Sequence, residues 1–229
     1  MREAVLVLGD SVTVGAGFSG VVESTAYVSL LQESLDDSGV DVSVSRSAID
    51  GVDTSYALRR FDRMVGRQRP HIVVVALGLN DAQPPGGRTG CEPAQYRANL
   101  CRIAENVIAL DAFPVFATPS PRIDVQRNDS PARCTMEPYA EQVRNAASQF
   151  GAPTIDLYDR FSDRRDLEAL LPDRLHPGPE GHRIIADAFA ETLVPLCRNR
   201  ARGNAARDTF EAPFDLNFAA VGELAGALC

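Results

Sequence analysis

A chain of 229 residues, 45% of them hydrophobic, is long enough to bury one sizeable core, so one main domain is expected. The formal net charge of -8 argues against a nucleic-acid surface or an anionic membrane as partner. Every basic residue outside the three histidines is arginine, which excludes Schiff-base lysines, serine–lysine dyads and lysine-dependent phosphate loops.

Taken in chain order, the apolar run Ala4–Leu8 is the first predicted strand. A helix is expected over Tyr27–Asp37, with Tyr27, Leu30, Leu31 and Leu35 at helical spacing and Gly39 as its stop. Val40–Ser45 reads as a short second strand, and Thr54–Arg67 as a helix with Thr54 as cap. His71–Leu77 is a continuous apolar strand of the kind buried on both faces of a parallel sheet. Helices over Pro93–Leu110 and Pro138–Phe150 flank a fourth strand at Pro114–Thr118. Pro153–Asp156 makes the fifth strand, and Glu180–Leu196 the closing helix. Five strands alternating with helices imply a three-layer α/β domain with a mostly parallel sheet, here placed at residues 1–198. From residue 199 onward the pattern breaks. A basic run with Arg198, Arg200, Arg202 and Arg207 leads into a segment carrying Phe210, Pro213, Phe214 and Phe218. This tail is expected to pack back on its own domain; the alternative is docking on a second copy of the chain.

No stretch is long enough to span a bilayer. The first apolar run is too short for a signal-peptide core, so the expected location is the cytoplasm, or outside the cell if a leader has been removed. Five cysteines without C-x-x-C spacing argue against zinc and against a disulfide-dense scaffold. Reduced thiols are the simpler expectation; the sharper one is a bridge between Cys91 and Cys134, both in predicted loops on one face of the sheet.

Ligands of an open parallel sheet bind outside the carboxyl ends of its strands. Ser11 of Gly9-Asp10-Ser11 follows the first strand, Gly51 the second, Asn80 of Gly78-Leu79-Asn80-Asp81 the third, and Asp173–His176 the fifth, so four chemically able segments share one edge. A serine leaving a buried strand presents its hydroxyl together with its own backbone N–H. Of the histidines, His71 opens a strand on the opposite edge, and Pro179 stands three residues before His182, where a carboxylate would be needed. His176 has Asp173 at that spacing, close enough to hold one ring nitrogen while the other faces Ser11. Ser11, Gly51 and Asn80 supply candidate oxyanion donors: two backbone N–H groups and a side-chain amide. Gly15–Gly20 fits the G-x-G-x-x-G dinucleotide pattern. It begins too far beyond the strand, and the second strand lacks a ribose-binding acid, so a loop beside the site is the preferred reading.

These blocks resemble the SGNH (GDSL) hydrolase superfamily over about residues 1–197. Gly9–Gly15 looks like its first block, with Val12 where leucine is commoner. Gly51 looks like the second-block glycine, although Ser47 stands where asparagine is common. Gly78–Asp81 and Asp173–His176 look like the third and fifth blocks. The resemblance implies a flavodoxin-like α/β/α fold and hydrolysis of esters or thioesters without cofactor or metal. Ser11 would be the nucleophile, His176 the base, Asp173 its partner, and Ser11, Gly51 and Asn80 the oxyanion hole. The expected reaction is hydrolysis of a small-molecule or glycan carboxylic ester through an acyl-Ser11 intermediate. An acyltransferase, thioesterase or lysophospholipase on the same triad, and a non-catalytic binding module, are the alternatives. The loops Ala82–Glu92 and Pro119–Met136 are expected to shape the pocket. Their Arg88, Arg122, Arg127 and Arg133 are read as solvated, with recognition of a substrate carboxylate or phosphate as the alternative.

Overall fold

The protein is described by a computed structural model covering residues 2–83, 90–125, 131–133, 136–162 and 164–209. Strand β1 (Glu3–Gly9) leads through α1 (Ser11–Val14) and α2 (Tyr27–Asp37) to β2 (Val42–Ala48). Next come α3 (Thr54–Arg59), α4 (Phe61–Met64), β3 (Ile72–Ala76), α5 (Pro93–Ala109) and β4 (Phe113–Ala117). A small hairpin of β5 (Ile123–Val125) and β6 (Pro131–Arg133) precedes α6 (Glu137–Gln149). The chain then passes through β7 (Thr154–Ile155), α7 (Leu157–Ser162) and α8 (Leu167–Leu170) to α9 (Pro179–Thr209).

The main sheet has the order β2-β1-β3-β4-β7 with every neighbouring pair parallel. Helix α2 packs on α9, and α5 packs on α3 and α6, so helices cover both faces. This is the three-layer α/β arrangement expected from the alternation of elements. Val5–Leu8 and Ile72–Val75 are each at most 1% exposed, which is why both run as unbroken apolar stretches. After β1 the chain forms β2 on one side and then crosses to form β3 on the other. The crevice between the carboxyl ends of β1 and β3 is thus the switch point of the sheet.

Several expected boundaries move, each for a physical reason. Val40 does not open β2: with Gly39 in the left-handed region, the Val40 N–H bonds Leu35 O at 3.0 Å and closes α2. The helix expected over Thr54–Arg67 is interrupted at Arg60, which leaves α geometry at φ -117° and ψ 17°. Its cap is Asp53, whose carboxylate accepts from Tyr56 N at 2.7 Å; the Thr54 hydroxyl is engaged with Asp81 instead. The segment expected as a loop over Pro119–Met136 contains the antiparallel β5–β6 pair.

The closing helix runs through Pro195 to Thr209, past both the expected end at Leu196 and the boundary at 198–199. Around Arg198 and Arg200 it is held by the protein's own domain. Arg198 donates to Ser38 O, and Arg200 donates to Glu3 and lies over the Phe113 ring at 5.7 Å. Phe210, Pro213, Phe214 and Phe218 lie outside the described residues. Among the described residues, no helix is long and apolar enough to cross a membrane.

Candidate active site

The carboxyl end of β1 turns at once into α1. A Cβ on Gly9 would lie 1.9 Å from the Thr13 hydroxyl, so only glycine permits this reversal. Asp10 caps α1, its carboxylate accepting from Val12 N at 3.0 Å, and Ser11 becomes the first helical residue. Thr13 is bonded to the Tyr27 hydroxyl at 2.8 Å, which anchors the short helix from below. Ser11 is only 5% exposed, so its hydroxyl is presented within a sheltered crevice and not on open surface.

The Ser11 hydroxyl lies 2.9 Å from Nε2 of His176, whose Nδ1 lies 2.7 Å from Oδ2 of Asp173. The other carboxylate oxygen accepts from the backbone N–H groups of His176 at 2.6 Å and Leu175 at 3.0 Å. Partial burial pushes the Asp173 carboxyl up. The His176 backbone and ring and the Leu175 N–H outweigh it and bring the pKa down to about 2. Arg174, in the left-handed region, makes the turn between the two residues. Its carbonyl accepts from Ile123 N at 2.9 Å, tying the turn to β5.

The other two expected residues meet each other on the same edge. Asn80, just beyond β3, donates its side-chain amide to Val52 O at 2.9 Å, leaving the second amide hydrogen for a ligand. Gly51 sits in the turn whose Ile49 N–H bonds Gly9 O at 3.4 Å, beside Ser11. Its φ of 72° is what requires glycine. A Cβ there would meet nothing within 4 Å, so close packing does not explain the residue.

Behind these two loops lies a carboxylate to which sequence reasoning assigned no role of its own. Asp81 is fully buried and accepts from the Thr54 backbone N–H at 3.1 Å, the Thr54 hydroxyl and the Cys91 thiol at 3.6 Å. Asn99 in turn donates to the Thr54 hydroxyl at 2.9 Å. Asn80 and Asp81 therefore each grip the Gly51–Thr54 segment. Burial raises the Asp81 carboxyl to about 6, and burial reinforced by Asp81 raises Asp10 to about 7. The spacing of Asn80 and Asp81 gave no hint of this, because the partner is supplied by a different loop.

The other two histidines fall away from the reacting atoms. His71 Nδ1 accepts from Ala4 N at 3.0 Å, at the amino end of the sheet, and His182 Nδ1 accepts from Tyr27 N at 3.0 Å inside the core. Phe18, from the glycine-rich run, stacks on His176 with ring centres 4.4 Å apart. Cys91 and Cys197 carry thiols; the expected Cys91–Cys134 bridge falls on Cys134, which is outside the described residues. Burial pushes the Cys91 thiol up to about 12, so it is no nucleophile at neutral pH. Arg122 is buried rather than solvated. Arg88, Arg127 and the side chain of Arg133 are outside the described residues. Among the described residues, no group of three His, Cys, Asp or Glu side chains is arranged to hold a metal ion.

Residues 7–184 match the family model of the GDSL-like lipase/acylhydrolases. The chain belongs to this family. It is an ester hydrolase of the SGNH type. This GDSL-family enzyme is 26% identical over 209 residues to an arylesterase of Vibrio mimicus, the alignment covering 84% of this chain and 88% of that protein. It is 27% identical over 213 residues to an acetylxylan esterase of Geobacillus stearothermophilus, covering 83% and 94%. Among solved structures, the lipase/acylhydrolase of Enterococcus faecalis superposes with a TM-score of 0.71 at 20% identity, covering 85% of this chain and 96% of that one. At that identity the likeness is one of fold.

Proposed function

We propose that this esterase hydrolyses carboxylic esters of small acyl groups, O-acetylated carbohydrates among them, through a covalent acyl-Ser11 intermediate. The observation that carries the reading is the continuous line Asp173–His176–Ser11, with contacts of 2.7 and 2.9 Å. A serine hydroxyl attacks only when a base removes its proton, and Nε2 of His176 is within reach to do so. Asp173 selects the tautomer with the proton on Nδ1 and stabilises the imidazolium that forms. The ester carbonyl oxygen, negative in the tetrahedral intermediate, takes hydrogen bonds from the N–H groups of Ser11 and Gly51 and the free amide hydrogen of Asn80. His176 then passes its proton to the leaving alcohol, leaving acyl-Ser11. Water, deprotonated by the same ring, attacks the acyl-enzyme and releases the carboxylic acid, and Ser11 recovers its proton.

The choice of small acyl groups is supported by the relative named as an acetylxylan esterase. The test compares p-nitrophenyl esters of rising chain length with acetylated xylo-oligosaccharides, for the wild type and Ser11→Ala. p-Nitrophenol release that falls with chain length, acetate release from the acetylated oligosaccharides, and loss of both in the variant are expected. Ser11→Ala retaining more than about a hundredth of the activity removes Ser11 as nucleophile. Acyl transfer to added alcohols in preference to water overturns the hydrolytic assignment.

A further inference from the structure

The glycine-rich run Gly15–Gly20 has no part in the mechanism above, yet its backbone is unusually constrained. Gly15, Gly17, Ser19 and Gly20 take φ values of 70°, 98°, 46° and 78°, and Ser19 holds a conformation that L side chains avoid. Two hydrogen bonds close the turn, from Gly17 N to Val21 O at 3.0 Å and from Val21 N to Phe18 O at 2.8 Å. The loop lies against the segment that carries His176, since a Cβ on Gly178 would approach Ser19 O to 3.5 Å. The outcome of these left-handed turns is that one ring is laid on another. Phe18 stacks on His176 at 4.4 Å with an interplanar angle of 29°.

His176 is bonded at both ring nitrogens. Together with the covalent tether at Cγ those two bonds set the plane of the imidazole, and a face contact restrains rocking out of that plane. The face of a benzene ring is also electronegative, so it attracts a cation placed against it. The imidazole becomes a cation only as Ser11 loses its proton, so this attraction acts in the transition state and not on bound substrate. We propose that Phe18 is a positioning residue for His176, holding the plane of the imidazole toward Ser11 and stabilising the imidazolium as it forms. The proposal rests on the assignment of His176 as general base.

The test uses full-length Phe18→Leu, Phe18→Tyr, Phe18→Ala and His176→Ala, each checked for folding by thermal melting and assayed for kcat and KM on p-nitrophenyl acetate. Leucine keeps an apolar filler without a π face, whereas tyrosine keeps the face. The expected result is a kcat about tenfold lower in Phe18→Leu and Phe18→Ala with KM within about twofold, and Phe18→Tyr close to wild type. A wild-type kcat in Phe18→Leu overturns the proposal, because an apolar wall then suffices. A loss confined to KM overturns it in favour of substrate contact, and an equal loss in Phe18→Tyr and Phe18→Leu overturns it in favour of loop packing. His176→Ala separates the two readings. If that variant stays active the base assignment itself falls, whereas an inactive His176→Ala beside an unimpaired Phe18→Leu removes only the role of Phe18.

Discussion

His176 and His182 are one short turn apart in sequence, and their surroundings are opposite. His176 bridges Asp173 and Ser11, while His182 is 1% exposed, with Nδ1 accepting the Tyr27 N–H. Burial, helped by the nearby His176 ring, brings the His182 pKa down from 6.5 to about 4. The unfolded chain therefore binds this proton near pH 6.5 and the folded chain only near pH 4. The stability contributed is complete above pH 6.5 and is lost as pH falls through 4, in all about 3 kcal/mol. The buried carboxyls of Asp10 and Asp81, raised to about 7 and about 6, act in the opposite sense over the same range. The His182 contribution is therefore read as a difference between two proteins. The denaturant midpoint of the wild type should decline from pH 7 to pH 4 relative to that of His182→Asn, whose amide oxygen can still take the Tyr27 N–H. That variant should keep most of its activity at pH 7. Asn80→Ala behaves in the opposite way. Its fold is expected to persist while kcat falls by about a hundredfold with KM little changed, the usual loss for one oxyanion donor. The meeting of Ser11, His176 and Asp173 was legible in the sequence, because a serine leaving a strand and a histidine with a carboxylate three residues before it form a pattern that chemistry singles out. Asp81 and Phe18 were not, since their significance lies in partners on other loops. A buried carboxylate and a solvated turn aspartate are the same letter.

Elements were legible where local pattern and tertiary packing agree. Helix α2 spans Tyr27–Asp37 as expected, because an apolar stripe and a glycine stop both specify it. At α3, Asp53 and Thr54 are both able caps, and local sequence could not choose between them. The choice is made by Asp81, which claims Thr54 and leaves the capping to Asp53. Strands β5 and β6 have three residues each, too few for alternation to register. Asp53→Ala should lower stability by about 1 kcal/mol, the ordinary loss of a helix cap. Because the same turn carries Gly51 and Thr54, it should also reduce kcat severalfold; thermal melting and steady-state kinetics check the two effects. Gly51→Ala should act mainly on kcat, since the open space around it admits a methyl group but the left-handed backbone resists one and re-aims the N–H.

At the scale of the whole molecule, every residue assigned to the site hangs from the carboxyl edge of one parallel sheet, and α9 reaches from that edge to the opposite one. Its first turns bury His182 beneath Tyr27, and its later turns bring Arg200 to Glu3. A chain ended at Arg198 should melt below one ended at Thr209. Glu3, whose side chain is 14% exposed, then loses its partner, at a cost of about 1–3 kcal/mol. Activity per folded molecule should be equal in the two, because no residue of the site lies between them. The span of α9 also bears on how the enzyme comes into being during synthesis. Ser11 precedes His176 by 165 positions, and the helix that packs against α2 follows His176, so the ribosome delivers the hydroxyl long before the ring. On the assignment proposed for Ser11 and His176, a nascent chain holds the hydroxyl without its base over that interval, and activity is expected only once α9 docks.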